Sequence, residues 1–366
     1  MQQRSDHLPQ MPPPKGALSR YIRSCWMLSA QSELELHDNA AVRLLSASEA
    51  DMLVEATRKR NVFARHSWEN SFYLQRIKEL SNRTVIEVLR PGDPDDMINE
   101  AEQFACTLEK LAVLSTSFSM PRHELQRRLA IGEHRRSVFD ITIGRDFNYL
   151  RSKSKPERLA QGIVVNQQFV GRFKRCGFPT LLSFCVTTNA LAGRVRTAVD
   201  WLFESRLEPV LTAAVVKTSI ALESLLIFSE SESLASSLSE RTAFILTPNA
   251  EVRGMIGRLV KDFYGIRSGV VHGNRKRAAM LSSKLLDIMD RIVLMVCLII
   301  ASNPDKWSSQ ESLREWSESE RWGSPSTDVI MPFHFMYLKN ALTMHEKLWH
   351  RRPVLASELF SPNHRI

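Results

Sequence analysis

The sequence lacks the patterns that build several common kinds of site. Its five cysteines are odd in number and contain no Cys-x-x-Cys pair. Neither a disulfide framework nor a structural zinc site is therefore expected, and a reducing compartment fits better. The sequence also has no phosphate-binding glycine-rich loop, no Rossmann fingerprint, no His-Glu-x-x-His and no nucleophile elbow. An enzyme that depends on a metal or a nucleotide is not indicated, and no cofactor is predicted.

Long hydrophobic runs are missing as well. The most apolar run, residues 292–300, has nine residues, whereas a transmembrane helix needs about 20. A longer stretch at 209–228 contains Lys217 and Glu223. Both stretches are predicted to be buried helices of a soluble protein, so no membrane is expected among its partners and a cytoplasmic location is predicted.

Positive charge is in excess. The chain has 49 Lys and Arg against 40 Asp and Glu, a formal net charge of +9 over 366 residues. This excess favours a polyanionic partner, with nucleic acid first and an anionic membrane surface second. A solvated basic face would produce the same excess.

Composition and patterning divide the chain into four parts and predict an α+β protein. Residues 1–16 are polar and proline-rich, which predicts a disordered tail rather than a signal peptide. The other three parts are an α+β region at 17–180 with a sensing or regulatory role, a helical domain at 185–304, and a linker with a C-terminal helix at 305–366.

The region 17–180 mixes helical and strand patterns. Ser46 and Glu49 form a capping-box pattern that predicts a helix through about residue 59. A second helix at 94–115 follows the N-cap candidate Asp93. Alternating β-branched and aromatic residues predict three strands, at 72–77, 84–89 and 138–143. The basic segment 151–158, which contains a proline, is predicted to be a loop.

Apolar residues recur every three or four positions from about residue 188 onward, which predicts a bundle of helices. Four stripes mark its long helices, at 195–202, 211–226, 252–263 and 285–300. The Ser- and Glu-rich segment 308–327 is predicted to be a linker, and 335–349 a final helix.

One segment combines residues suited to acid–base chemistry and to phosphate binding. Tyr264 is followed by Arg267 and Ser268, then by a short apolar stretch and by His272 and Gly273. This pattern resembles the Apea-like branch of the HEPN superfamily, whose signature is an Arg followed four to six residues later by a His.

Two further segments resemble the same family. Residues 220–226, with Glu223, are similar to its Ala-Leu-Glu stretch, and residues 238–243, with Arg241, are similar to its Ser/Arg/Ala-containing helix. The resemblance covers about residues 190–304 and does not extend to the first 180 residues.

The resemblance implies a metal-independent ribonuclease, in which a ribose 2′-hydroxyl attacks its own 3′-phosphate and leaves a cyclic phosphate. It implies that His272 is the general acid and base and that Arg267 stabilises the transition state, with Ser268 orienting the phosphate or His272. These roles agree with side-chain chemistry, because an unperturbed histidine has a pKa of about 6.5 and arginine presents a planar, permanently charged fork.

The spacing of the two residues limits how they meet. Five positions along an α-helix correspond to about 500° of rotation, so Arg267 and His272 would lie about 140° apart on a straight helix. Either the helix bends or ends among Gly265, Gly269 and Gly273, or two motifs meet across a dimer. The resemblance favours a symmetric homodimer with a composite site.

The supporting residues leave alternatives open. Glu223 is predicted to be a buried partner of Arg241 or of Arg267, and Tyr264 is counted as a further supporting residue of the motif. Arg275, Lys276 and Arg277 follow the motif directly, and they form either a solvated turn or a contact with the RNA backbone.

The leading hypothesis is a ribonuclease of prokaryotic antiphage defence or abortive infection, controlled by a phage-derived or host trigger. The alternative is a catalytically silent HEPN module that binds RNA, a nucleotide or a protein. A helical scaffold without a nucleic-acid role is a third hypothesis.

Overall fold

The computed structural model describes residues 18–25, 27–30, 33–59, 74–75, 77–91, 94–130, 135–143, 150–158, 162–229 and 231–322. The chain divides into two compact units. The first, here called the sheet unit, comprises Met1–Thr116 and Glu124–Lys174, and the second, the helical unit, comprises Ser117–His123 and Arg175–Ile366. The predicted tail at 1–16 and the predicted helix at 335–349 lie outside the described residues.

The sheet unit is built on a six-stranded antiparallel sheet with the strand order β3-β4-β5-β1-β6-β7. Its strands are β1 (Leu18–Ser24), β3 (Leu34–His37), β4 (Ala40–Leu44), β5 (Thr84–Pro91), β6 (Arg135–Ile143) and β7 (Leu150–Arg158). A separate parallel pair joins β2 (Leu28–Ala30) to β8 (Ile163–Val165). The predicted strands at 84–89 and 138–143 are confirmed as parts of β5 and β6.

The helices of the sheet unit include both predicted ones, and the N-cap candidate Asp93 lies outside the described residues. They are α1 (Ala47–Lys59), α2 (Pro94–Ser115), α3 (Arg122–Ala130) and α4 (Gln167–Arg175), with the ends of α3 and α4 crossing into the helical unit's segments. At the start of α1, the Ser46 hydroxyl accepts from the backbone N–H of Glu49 at 3.2 Å. The Glu49 carboxylate instead binds the Arg43 guanidinium at 2.7 Å, so an ion pair takes the place of the second bond of the capping box.

The described residues of the segment 72–77 do not form the predicted strand. Residues 74–75 and 77–79 are helical. Ile77 and Leu80 lie in the hydrophobic core with Ile22 and Val85, and Leu74 packs against this cluster. Leu74, Ile77 and Leu80 recur at every third position, which is a helical repeat and not the two-residue repeat of a strand.

The segment 151–158 is not the predicted loop. It forms most of β7, which pairs with β6 over nine residue pairs, from Arg135 with Arg158 to Ile143 with Leu150. Because β7 is the last strand of the sheet order, its basic residues and Pro156 are of the kind that edge strands tolerate.

The helical unit contains eight α-helices in its described residues. They are α5 (Phe178–Cys185), α6 (Ala190–Leu207), α7 (Leu211–Leu226), α8 (Leu234–Leu246), α9 (Ala250–Val271), α10 (Arg275–Ala278), α11 (Ser283–Ser302) and α12 (Gln310–Trp322). The four predicted long helices are confirmed as α6, α7, α9 and α11. In the described part of the chain, no helix has the length and apolar character to span a membrane.

Helix α11 lies at the centre of this unit. Its residues 292–301 are all buried, and it packs against α5, α6, α7 and α8. A helix that is apolar on all sides must be covered on all sides to remain in water. The chain as a whole is α+β, as predicted.

The segment predicted as a linker at 308–327 contains α12. Leu313, Ser317 and Glu320 are buried along one face of this helix. Glu320 pairs with Arg253 of α9 at 2.7 Å, and Arg321 binds Glu240 of α8. These contacts with other helices stabilise a sequence whose composition is typical of a linker.

A buried ionic cluster joins the segment Ser117–His123 to the helices of this unit. The Arg122 guanidinium donates to Asp290 of α11 at 2.6 Å, and both side chains are almost completely buried. Arg206 of α6 binds Asp287 of α11, and Thr218 of α7 donates to Asp290 at 2.9 Å. Each buried charge therefore has an opposite charge and further hydrogen bonds.

Candidate functional site

Helix α9 positions the motif. Asn249 caps its N-terminus, and its side chain accepts from the backbone N–H of Val252 at 3.1 Å. Val252, Ile256, Leu259, Val260 and Phe263 are buried at helical spacing along one side. This stripe holds the helix in the unit and determines which way the following turn of Tyr264, Arg267 and Ser268 projects.

The C-terminus of α9 explains the His-Gly pair. The helix ends at Val271, and His272 is its C-cap residue. Gly273 has a φ of +71°, and the backbone N–H of Asn274 donates to the carbonyl of Gly269 at 2.7 Å. This is the Schellman arrangement, in which a left-handed residue favours glycine. For a single chain, the sequence predicted that the helix either bends or ends near these glycines. The structure shows that it ends here.

His272 is exposed at this helix end. Its backbone N–H donates to the carbonyl of Ser268 at 2.9 Å, while its imidazole has no hydrogen bond or ion pair to any other described residue. An exposed imidazole without a partner in the chain is accessible for proton transfer with a bound substrate.

Arg267 is partly buried, with 24% of its side chain exposed. Its Nη2 lies 3.7 Å from the Glu223 carboxylate, and its Nε is buried without a hydrogen-bond partner among the described residues. At least one donor of the guanidinium is therefore not used by any described residue. Arg267 and His272 make no hydrogen bond to each other in the described structure. Ser268, the residue after Arg267, is half-buried.

Tyr264 anchors the acidic partner of Arg267. Its hydroxyl lies 2.9 Å from the Glu223 carboxylate and 3.1 Å from the carbonyl of Ser219, so one proton serves two acceptors. Burial raises the pKa of the Tyr264 phenol, and the Glu223 charge raises it further. The phenol therefore remains a donor at any physiological pH. Of the two partners predicted for Glu223, Arg267 is the one that pairs with it.

Arg241 lies in a different set of contacts. It binds Glu232 and donates to the carbonyl of Leu226 at 2.6 Å, and its guanidinium stacks 4.4 Å from the centre of the Phe228 ring. Arg194 approaches the same ring at 5.5 Å. These contacts fasten α8 and α6 to the chain after α7, so Arg241 holds the framework and does not join Glu223.

The three predicted RNA-binding residues form the short helix α10. Asn274 caps it, with its side chain accepting from the backbone N–H of Arg277 at 3.2 Å. Arg275, Lys276 and Arg277 are exposed, and none has an ion-pair partner within the described ranges. The role of Asn274 was not predicted, although an Asn directly before a short polar run is a recognisable N-cap signal.

The described residues contain no group of three or more His, Cys, Asp or Glu side chains that could hold a metal ion. Comparisons of the chain with models of known families, with curated proteins and with solved structures found no match.

Proposed function

We propose that the helical unit is a metal-independent endoribonuclease of the HEPN type, acting in the cytoplasm in prokaryotic antiphage defence or abortive infection. The exposure of His272 is the observation that supports this proposal most strongly. His272 is exposed immediately after the helix that carries Arg267, and its imidazole has no hydrogen bond or ion pair to another described residue. A histidine kept only for packing would be buried or bonded.

The proposed reaction uses the two residues as an acid–base group and an anion clamp. His272 takes the proton of a ribose 2′-hydroxyl, whose oxygen attacks the adjacent 3′-phosphate. The bond from phosphorus to the 5′-oxygen breaks, and that oxygen receives the proton that His272 has taken from the 2′-hydroxyl. The products are a 2′,3′-cyclic phosphate and a 5′-hydroxyl, while the free donors of Arg267 stabilise the charge on the phosphorane oxygens.

The proposed site is shared between two copies of the chain. Arg267 and His272 of one copy form no hydrogen bond with each other in the described structure. Positions five apart near the end of one helix face directions about 140° apart. In a symmetric dimer, Arg267 of one copy would meet His272 of the other. The sheet unit is proposed to sense a phage-derived or host trigger.

Expression in a bacterial host tests the activity. The wild type is compared with Arg267→Ala and His272→Ala in cells with and without phage infection, because the proposed trigger comes from the phage or the host. Growth and total RNA integrity are followed together. The matched controls are Arg314→Ala and His123→Ala, because both residues are exposed in the helical unit away from the motif. We expect toxicity and RNA fragmentation with the wild type and both controls, and a loss of cleavage of about 100-fold or more in the two motif variants.

Mixing purified variants tests the shared site. If each site takes Arg267 from one copy and His272 from the other, Arg267→Ala and His272→Ala form a mixed dimer with one intact site. We expect the mixture to cleave RNA in the presence of a chelator, although neither variant does so alone. A mixture that stays inactive while the wild type is active would contradict the shared site.

A second function is supported by the pairing of Arg267. Its guanidinium is partly buried beside Glu223, so part of its charge is already compensated. This favours a catalytically silent module that binds RNA, a nucleotide or a protein through the exposed α10. RNA that is bound but left intact by the triggered wild-type protein would support this alternative over the enzyme.

A further inference from the structure

Gly269 is the point where α10 packs closely against α9. A Cβ atom added at this position would lie 2.5 Å from the Cβ of Arg277, 3.2 Å from the backbone nitrogen of Ala278 and 3.3 Å from the carbonyl of Asn274. Two of these atoms belong to the backbone, so the neighbours cannot move away by changing a rotamer. A side chain at position 269 would displace α10, chiefly through the 2.5 Å contact with the Cβ of Arg277.

Other glycines of the same helix lack this constraint. Cβ atoms added at Gly257 or at Gly265 would meet nothing within 4 Å. Gly265 lies one turn before Gly269 and is also helical, so a Gly→Ala change there alters helix propensity alone. Gly265 is therefore a matched control for Gly269.

The position of α10 depends on this contact. The helix has four residues, Arg275–Ala278, and none of them is fully buried. A single helical turn is not stable by itself in water. Its orientation is determined by the Asn274 cap, by the bond from Asn274 to Gly269, and by the close approach of the two helices at Gly269.

We propose that Gly269 is a positioning residue for RNA binding. By lacking a side chain, it holds α10 against α9, so that the exposed cations of α10 and the exposed His272 face the same stretch of single-stranded RNA backbone. This inference rests on the proposed function, because it assigns the substrate backbone to that site. Beyond the residues already proposed for the site, it assigns a role to Gly269, which makes no contact with RNA itself. Gly269 acts by placing Arg275, Lys276 and Arg277.

RNA binding by full-length protein tests the proposal. All variants carry His272→Ala, so that a short, labelled single-stranded RNA stays intact, and affinity is measured by fluorescence anisotropy at several salt concentrations. We expect Gly269→Ala to weaken binding about tenfold. The salt dependence should also become shallower by about 2 in log–log slope, since each lost phosphate contact on a single strand removes about 0.7. Gly265→Ala should match the parent protein, which carries His272→Ala alone, in both affinity and salt slope.

A second pair of variants distinguishes displacement of α10 from a general destabilisation of the fold. Arg277→Ala and Arg277→Gly remove the same charge, but only the glycine also removes the Cβ that a side chain at 269 would strike. We expect Gly269→Ala to weaken binding several-fold further in the Arg277→Ala protein, and less than about twofold in the Arg277→Gly protein. Equal effects in the two backgrounds would overturn the proposal.

The outcomes distinguish this inference from the proposed function. If Gly269→Ala and Gly265→Ala bind RNA with equal affinity and salt slope, the positioning role is wrong and cleavage by Arg267 and His272 is untouched. If the binding pattern is as expected but the wild type never cleaves RNA, the positioning role holds and the enzyme hypothesis fails. If the parent does not bind RNA, because α10 contacts a protein or nothing, the inference is overturned.

Discussion

Tyr264 and Glu223 are joined by a hydrogen bond of 2.9 Å between α9 and α7, although they are 41 residues apart in sequence. The same carboxylate oxygen lies 3.7 Å from Arg267. The tyrosine therefore holds the acid that in turn orients the arginine of the motif. A phenol whose pKa is raised by burial suits this task, because it does not lose the proton that it donates.

Replacing this phenol tests the link. Tyr264→Phe removes the hydroxyl that lies within hydrogen-bond distance of the Glu223 carboxylate and the Ser219 carbonyl. We expect the free energy of unfolding to fall by about 1–2 kcal/mol, measured by urea denaturation. RNA cleavage should fall several-fold, because Arg267 loses the fixed position of its partner. A double-mutant cycle with Glu223→Gln should show that the two effects do not add. Additive effects would place Tyr264 outside this network.

Arg241 should affect stability and not catalysis. It binds Glu232 and the Leu226 carbonyl and stacks on Phe228, and no hydrogen bond or ion pair joins it to the motif in the described structure. We expect Arg241→Ala to reduce the free energy of unfolding by about 1.5–3 kcal/mol. Cleavage by the folded fraction, assayed at low temperature, should equal that of the wild type. A selective loss of cleavage at full stability would instead place Arg241 in the site.

The buried ionic cluster should be far more sensitive to charge removal than a surface pair. Asp290→Asn leaves Arg122 and Arg206 buried with less compensation, and we expect a loss of about 3–5 kcal/mol in the free energy of unfolding. Glu240→Gln breaks the more exposed pair with Arg321, and its expected cost is below about 1 kcal/mol. Parallel urea denaturation of the two variants measures the contrast. Similar costs would show that the cluster does not depend on its charges.

Two glycines near opposite ends of the motif should respond in opposite directions to alanine. Gly273 has a φ of +71°, where an L-residue costs about 1–2 kcal/mol. Gly265 is helical and has free space around it, so Gly265→Ala should stabilise by up to about 1 kcal/mol. Thermal unfolding followed by circular dichroism checks both. Destabilisation by Gly265→Ala would show that α9 needs flexibility at that position.

The stability of the sheet unit should decrease in acid through Glu87. Burial acts to raise the pKa of Glu87, but Arg20 and Arg43 outweigh it, and the net pKa is lowered from the ordinary value of 4.5. The folded state therefore binds this proton less tightly than the unfolded state. Its stabilisation is complete above about pH 4.5 and is lost as the pH falls through the lowered, folded-state pKa.

The corresponding variant is Glu87→Gln. It should be less stable than the wild type at pH 7 and lose less stability on acidification, as measured by urea denaturation across the acid range. An unchanged acid dependence in this variant would mean that other carboxylates dominate.

Local sequence patterns were sufficient for elements whose signal lies within their own residues. The apolar stripes predicted α6, α7, α9 and α11, because one buried helix face repeats every three or four positions. Prediction failed where the deciding contacts lie elsewhere in the chain. The basic segment 151–158 becomes β7 because it pairs with β6. Residues 310–322 become a helix because they contact α8 and α9.

For the candidate site, the sequence by itself determined the residue types, their spacing and the glycine that ends α9. The tertiary structure alone decided their partners. Glu223 pairs with Arg267 and not with Arg241, and α10 packs closely against Gly269. The physical reason is distance along the chain: helix periodicity and caps depend on neighbours within about four residues, whereas these contacts join positions up to 44 apart and form only when the helices pack.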